Sequence, residues 1–375
     1  MTRGVVQSTG SLPIADTPEA LTPAWLTSCL REAGRLHGPE VSDVVLTPVG
    51  TGQMCDCVRL QLTFTGPADT ADTGDAPDTL VAKLPAADPT SRATAQQLRS
   101  YEIEVRFYQE LAPSLPIRTP DVVFADIDVD TASFLLLLED LAPAEAGDQL
   151  AGCSLEQATV AVDELVKLHA PRWGDPGLAE IEWLHRDPEA SRDFLLGLLP
   201  ILWNGFRERY AERLGPDVHD AGDGLFAHLD RYLGARTEPS TVVHGDYRLD
   251  NLLFGAPGSH TPIAVVDWQV AGHAPALPDV AYFIGAGLHA PDRREHESDL
   301  VRRYHDGLLA AGVDGYEWDR CWRDYRRGTY AGLVMAVAAS MLVERTERGD
   351  EMFLTMAHRH ARHALDLDAP ALLTS

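Results

Sequence analysis

The alternation of apolar and polar positions divides this chain into recognisable stretches. TLVAKLP (residues 79–85) is an apolar strand interrupted by one lysine, and residues 44–65 read as strand, turn, strand, with Gly50 and Gly52 at the bend. Residues 91–111 carry a helical stripe. At about 100° per residue, Leu98, Tyr101, Val105, Tyr108 and Leu111 define its apolar face; Glu104 falls about 60° from the centre of that face and Glu102 about 100° away. FLLLLEDL (134–141) is another apolar strand, and SLEQATVAVDELVKLHA is a helix. In VVHGDYRLDNLLFG (242–255) a polar centre lies between two apolar strands, and PIAVVDWQV (262–270) is an apolar strand closing on Asp267. Turn residues bound that last strand: Pro257, Gly258 and Pro262 before it, Gly272 after. The longest apolar run, residues 330–343, is too short to span a bilayer and is flanked by Arg326, Arg327, Glu344 and Arg345; it reads as a buried helix.

These placements predict an α+β chain. Residues 1–40 form an N-terminal helical extension with Pro18 and Pro23 near helix starts. A small lobe of strands with one main helix occupies 41–138, and a larger, mostly helical lobe occupies 139–375.

The candidate chemistry starts in HGDYRLDN, where Asp246 and Asn251 stand five residues apart. That spacing suits phosphoryl transfer, with Asp246 facing an acceptor hydroxyl and Asn251 reaching a magnesium ion on the nucleotide. Asp267 supplies a second oxygen ligand of the kind a hard cation prefers. Alone, a His-Gly-Asp tripeptide is only a turn and an Asp at a strand end is usually a cap.

Composition then singles out a cation. Of 31 basic residues only Lys83 and Lys167 are lysines. A lysine kept inside an apolar strand of an arginine-rich chain points to a need for a compact ammonium, as at an α/β-phosphate; the plain alternative is an edge-strand lysine with its head in water. Lys167, three residues after Glu164, reads as a solvated face residue. Glu104, on the helix of residues 91–111, is the chosen partner for Lys83. Gly50 and Gly52 are the candidate phosphate loop. Because this loop opens into a strand rather than a helix, dinucleotide and Walker-type loops are excluded.

On HGDYRLDN, VVDWQ and YEIEVRFYQEL the chain resembles the aminoglycoside phosphotransferase superfamily, especially its choline and ecdysteroid kinase-like branch. The resemblance runs from about Gly50 to the helix after Asp279. It implies a bilobal protein-kinase-like fold and transfer of the γ-phosphoryl group of ATP or GTP, with Mg2+, to a hydroxyl of a small molecule. It implies Asp246 as catalytic base or hydroxyl orienter, Asn251 and Asp267 as magnesium ligands, and Lys83 with Glu104 as the phosphate-positioning pair. Residues 134–141, including Glu139 and Leu141, become the strand and hinge whose backbone meets the adenine, and Asp279 a structural aspartate. Trp268 departs from the protein-kinase pattern, which has phenylalanine there, and the glycine loop lacks the full GxGxxG.

The rest of the composition narrows the setting. A net charge of -26 opposes nucleic-acid binding and weakly favours a cationic acceptor. Five scattered cysteines argue against a disulfide framework and for a cytoplasmic protein; Cys55 and Cys57 lack the second pair a metal site needs. Residues 66–78 read as an acidic loop without chemistry. Between 172 and 236, Trp173, Trp183, Trp203, Phe206 and Tyr210 fall on helical patterns. Core packing is the plain reading, and the sharper expectation is that Trp203 and Phe206 help wall an acceptor site. His358, His360 and His363 suggest a metal less than favourable charge at a helix end. Antibiotics, choline-like amines, sterols, sugars, nucleosides and hydroxyacyl thioesters all remain open as acceptors. The alternative from another class is a non-catalytic nucleotide-binding regulatory module, whose mark would be loss of Lys83, Asp246, Asn251 or Asp267; all four are present.

Overall fold

The computed structural model describes residues 6–7, 12–50, 54–66, 76–184, 188–234, 238–256 and 261–374. The chain divides into two units, residues 1–143 with 267–269, and residues 144–266 with 270–375.

The first unit is built on a six-stranded sheet. Its strands are β1 (Val6–Gln7), β2 (Val41–Pro48), β3 (Cys55–Phe64), β4 (Thr79–Pro85), β5 (Val122–Asp128) and β6 (Ser133–Glu139), in the order β1-β5-β6-β4-β3-β2. All neighbours are antiparallel except β1 and β5. β4 is central, and five of its seven residues are buried and the other two half-buried, which is the pattern of a strand covered on both faces. Helix α1 (Pro23–Glu32) starts with proline at its first position and a Thr22 side-chain cap. Its Leu26, Cys29 and Leu30 pack with Leu60, Leu80, Phe124 and Leu137 of the sheet. The first 40 residues therefore contribute a strand as well as the expected helix.

The helix expected over 91–111 is broken. α2 (Pro89–Gln97) ends before Arg99, whose φ of 59° is left-handed, and α3 (Ser100–Arg106) then restarts and runs on through a wider turn at Phe107–Leu111. The break resets the helical phase. Leu98, expected on the apolar face, is half exposed, whereas Tyr101, Val105, Tyr108 and Leu111 beyond the break are buried as their spacing requires.

The second unit is mainly helical: α4 (Leu155–His169), α5 (Pro188–Arg209), α6 (Pro216–Ala227), α7 (Leu229–Tyr232), α8 (Leu277–Gly287), α9 (Ala290–Ala310), α10 (Trp318–Gly328), α11 (Ala331–Leu342) and α12 (Glu347–Asp366). Two small sheets carry its loops: β7 (Glu145–Ala146), β9 (Leu252–Phe254) and β10 (Ile263–Val265) form one, and β8 (Ser240–Val243) pairs with β11 (Gly272–Pro275) in the other. The apolar run of residues 330–343 is α11, and its Leu333, Ala336 and Val337 are buried against α5 and α12. No helix among the described residues is long and apolar enough to cross a membrane.

The histidines of α12 correct the sequence expectation of charge at a helix end. His360 and His363 are fully buried. Gly285 of α8 and Gly332 of α11 pack so closely that a Cβ on either would run into the His360 ring. Burial pushes the pKa of His360 well below its usual value, and neither of its ring nitrogens has a hydrogen-bond partner. Burial also lowers His363, against the pull of Glu297.

A buried neutral histidine binds fewer protons folded than unfolded, so its contribution to stability is present above the unfolded pKa of about 6.5 and is lost as pH falls below it. The expected slope from His360 approaches about 1.4 kcal/mol per pH unit. His360→Leu should flatten urea-midpoint stability between pH 6.5 and 5 without lowering it at pH 7.5; an unchanged slope would remove His360 as its source.

Candidate active site

Two side-chain clusters bring the sequence candidates together, one in each unit. In the first, the Cα of Lys83 pairs with Cys57 on one side and Leu136 on the other, which holds it at the middle of the sheet. Its ammonium lies 2.6 and 2.7 Å from the two Glu104 carboxylate oxygens and 2.8 Å from Asp267 Oδ1. Glu104 is 1 % exposed and Lys83 8 %. A charged pair so far from water is tolerable only because each member is matched. Burial works against the ammonium, but Asp267, Cys55 and Glu104 outweigh it and its pKa stands well above the usual value. Burial pushes the Glu104 carboxyl up, with Lys83 opposing. Glu102, the rejected candidate, faces outward and pairs instead with Arg99 at 2.8 Å.

Asp267 adopts a φ of 68°, a left-handed conformation that costs a non-glycine residue and is often found at functional sites. Gln269 also donates to its Oδ1. The following Trp268 gives its backbone N–H to Glu104 at 3.1 Å and stacks on Phe107, with ring centroids 3.8 Å apart. The tryptophan that departs from the protein-kinase pattern is thus a fixed wedge behind the Lys83 cluster.

The second cluster is centred on Asp246. Tyr282 donates its hydroxyl to Oδ1 at 2.7 Å; Arg248 Nε and Asn251 Nδ2 donate to Oδ2 at 3.1 and 3.0 Å. Asn251 Nδ2 also reaches the Asp246 carbonyl at 2.9 Å. Burial and the Asp246 charge raise the Tyr282 pKa well above normal, so its proton stays on and points at the carboxylate. Arg248 is shared with Asp250. Burial opposes the Asp250 carboxylate, and Arg248 outweighs it and holds its pKa below the usual range. Asp250 accepts the Gln149 N–H at 3.1 Å, and the Gln149 side chain in turn accepts from Leu249 N and donates to Ala286 O.

The loop itself is pinned by Asp279 of α8, whose carboxylate accepts the backbone N–H groups of His244 at 2.7 Å and Gly245 at 3.0 Å. Gly245 sits at φ 81°, and a Cβ there would come within 2.6 Å of the Val270 carbonyl, so only glycine fits. His244 spans the loop, with Nε2 against the Val266 carbonyl and Nδ1 accepting the Asp246 N–H.

Other candidates lie elsewhere. Gly50 is in the β2–β3 turn at φ 77°, where Val49 N–H donates to Cys57 O; Gly52 lies outside the described residues. Glu139 ends β6 with its carboxylate on Arg118 and on the Asp121 N–H, and its own N–H on Asp121 O, while Leu141 follows beyond the strand. Trp203 and Phe206, the candidates for an acceptor wall, lie in α5. Both are buried in the helical core, Trp203 stacked on Phe226 with its indole N–H on Asp223, leaving almost no surface to touch a solute.

Reasoning from sequence missed Tyr282, Arg248, Asp250 and Gln149. A signal existed for Tyr282: it lies one turn after Asp279 on α8, hence on the same helix face as the residue that pins the loop.

The pattern of the family described as "Phosphotransferase enzyme family" matches residues 70–327, most of the chain. The chain belongs to that family. The enzyme class expected from the sequence, a small-molecule kinase, is what this membership supports. The phosphotransferase also shares its fold with choline kinase from Cryptosporidium parvum Iowa II (8 % identity, TM-score 0.56, covering 92 % of this chain and 95 % of that one). Ethanolamine kinase from Plasmodium vivax is similar to a like degree (11 % identity, TM-score 0.51, covering 92 % and 90 %). Both are protein-kinase-like phosphotransferase folds, as the sequence predicted. Among curated proteins, mouse "Acyl-CoA dehydrogenase family member 10" is 45 % identical over 47 residues, which are 12 % of this chain and 4 % of that much longer protein.

Proposed function

We propose that this phosphotransferase moves the γ-phosphoryl group of ATP, or GTP, to a hydroxyl of a small molecule in the cytoplasm. The observation that carries the reading is the Lys83 ammonium, buried yet held charged between Glu104 and Asp267. An ammonium so placed is a point charge poised for phosphate oxygens.

Magnesium fits the oxygen donors available. Asp267 and Asn251 offer a carboxylate and an amide carbonyl, suited to a hard cation that takes its remaining ligands from water and phosphate. No group of three histidine, cysteine or acidic side chains able to hold a metal by itself occurs among the described residues. When bound, the ion would neutralise phosphate charge. Lys83 positions the nucleotide phosphates, with Glu104 fixing the direction of its ammonium. Asp246 accepts a hydrogen bond from the acceptor hydroxyl and orients its oxygen for attack; the proton passes to Asp246 as the oxygen–phosphorus bond forms, and the bond from the γ-phosphorus to the bridging oxygen breaks, its electron pair leaving with the nucleoside diphosphate. Tyr282, Arg248 and Asn251 hold the carboxylate at one angle.

Coupled measurement of ADP release, with ATP and magnesium against a panel of hydroxylated compounds, tests the proposal. Turnover on one class, lowered by about 10²–10⁴-fold in Asp246→Asn, is expected. Tight ATP binding with no turnover on any class would favour the regulatory-module alternative instead.

Tyr282→Phe removes one of the three side-chain hydrogen bonds that hold the Asp246 carboxylate at one angle. The expected result is a kcat about tenfold lower, matching the roughly 1.5 kcal/mol typical of a hydrogen bond to a charged group, with nucleotide affinity unchanged. A kcat equal to that of the wild type would show that the hydroxyl does not bear on Asp246.

A further inference from the structure

Side chains two apart on a strand point the same way, so Cys55 and Cys57 share one face of β3. Cys57 stands directly opposite Lys83 in the β3–β4 ladder. Directly opposed residues place their Cβ atoms about 4.5–5.5 Å apart on a common face. Cys55 is buried, whereas Cys57 is partly exposed and lies at the root of the β2–β3 turn, its carbonyl closing that turn on Val49.

The neighbouring Cys55 thiol and the Lys83 charge lower the Cys57 pKa, while burial, Glu104 and Asp267 oppose. The Cys57 neighbour and burial push Cys55 well up. Burial lifts each of the remaining cysteines, Cys29, Cys153 and Cys321, to about 12. Cys57 is thus a half-buried thiol inclined to ionise and set opposite an ammonium, the surroundings in which cysteines react.

We propose that Cys57 is a modification site for soft electrophiles, a nucleophilic thiol beside the phosphate-positioning lysine whose adduct excludes the nucleotide phosphates. The exclusion rests on the nucleotide reading above; the reactivity does not. With a haloacetamide, the thiol proton goes to solvent and Sγ attacks the halogen-bearing carbon. A sulfur–carbon bond forms, the carbon–halogen bond breaks, and halide leaves with the electron pair.

Timed labelling of the native protein with iodoacetamide, read by peptide mass spectrometry, tests this without any need for turnover. Cys57 should label at least about tenfold faster than Cys29, Cys153 or Cys321, because its neighbouring ammonium favours the thiolate whereas burial disfavours it at the other three. ATP with magnesium should slow Cys57 alone, and the labelled protein should lose ATP binding while Cys57→Ser keeps it under the same treatment. Equal rates across the cysteines would overturn the proposal. So would fast Cys57 labelling indifferent to ATP in protein that calorimetry shows to bind ATP. If calorimetry shows no ATP binding at all, the nucleotide reading fails, and the ratio of labelling rates still decides the reactivity of Cys57.

Discussion

Replacing Asp246 by asparagine should lower kcat by about 10²–10⁴-fold, the usual contribution of a positioned acid–base group, while nucleotide affinity barely moves. The substitution preserves shape but removes the charge that three donors address: the Tyr282 hydroxyl, Arg248 Nε and Asn251 Nδ2. An amide can accept through one oxygen only, so at least one donor must turn away or face an NH2 group. Arg248 keeps Asp250 as an anionic partner, so the loop should survive. The measurement is kcat and KM on whichever acceptor supports turnover, beside ATP affinity by calorimetry and a melting curve. A kcat within a few-fold of wild type would remove Asp246 from the transfer step.

Lys83→Met should have the second large effect, on stability as well as binding. It leaves the buried Glu104 carboxylate facing Asp267 without the cation that lies within 2.8 Å of both. Removing one partner of a buried pair typically costs about 3–5 kcal/mol. Glu104, already raised by burial, should then rise further and take up a proton in the folded state. A carboxyl whose folded pKa exceeds its unfolded value favours folding at low pH and loses that contribution as pH rises. The deficit against wild type should therefore shrink between pH 8 and 5 in urea titrations. Lys83→Met with Glu104→Gln should recover much of the stability and none of the nucleotide binding, which should remain about 10–100-fold weaker, as the loss of a hydrogen bond to a charged group implies. Recovery of binding in the double variant would show that Lys83 acts only as a structural counter-ion.

Lys83 was legible in the sequence because lysine is scarce in this chain, and Glu104 because the stripe formed by Tyr101, Val105 and Tyr108 places it near the apolar face. The break at Arg99 was not legible. Left-handed backbone is usually signalled by glycine, asparagine or aspartate, and here an arginine adopts it. The surroundings of Trp203 and Phe206 were not legible, because aromatic residues at helical spacing look the same whether they line a site or fill a core, and the contacts of Trp203 come from Phe226 and Asp223 of α6. The α12 histidines misled for a related reason: their burial depends on two glycines on other helices, Gly285 and Gly332, which carry no pattern of their own. The anchoring of Asp246 was hidden by chain distance. Its motif neighbours Arg248 and Asn251 stood in plain view, but Tyr282 reaches it from 36 residues away, and Gln149 supports the loop from 100 residues before Leu249.

The three donors around Asp246 also bear on which acceptors it can serve. A carboxylate whose two oxygens already accept three hydrogen bonds has little free capacity to strip a hydroxyl before phosphorus arrives. Transfer should then depend weakly on the acidity of the acceptor alcohol. Across a series of fluorinated analogues of one substrate, a plot of log kcat against hydroxyl pKa should be nearly flat, and selection among alcohols would fall to shape and charge rather than to ease of ionisation.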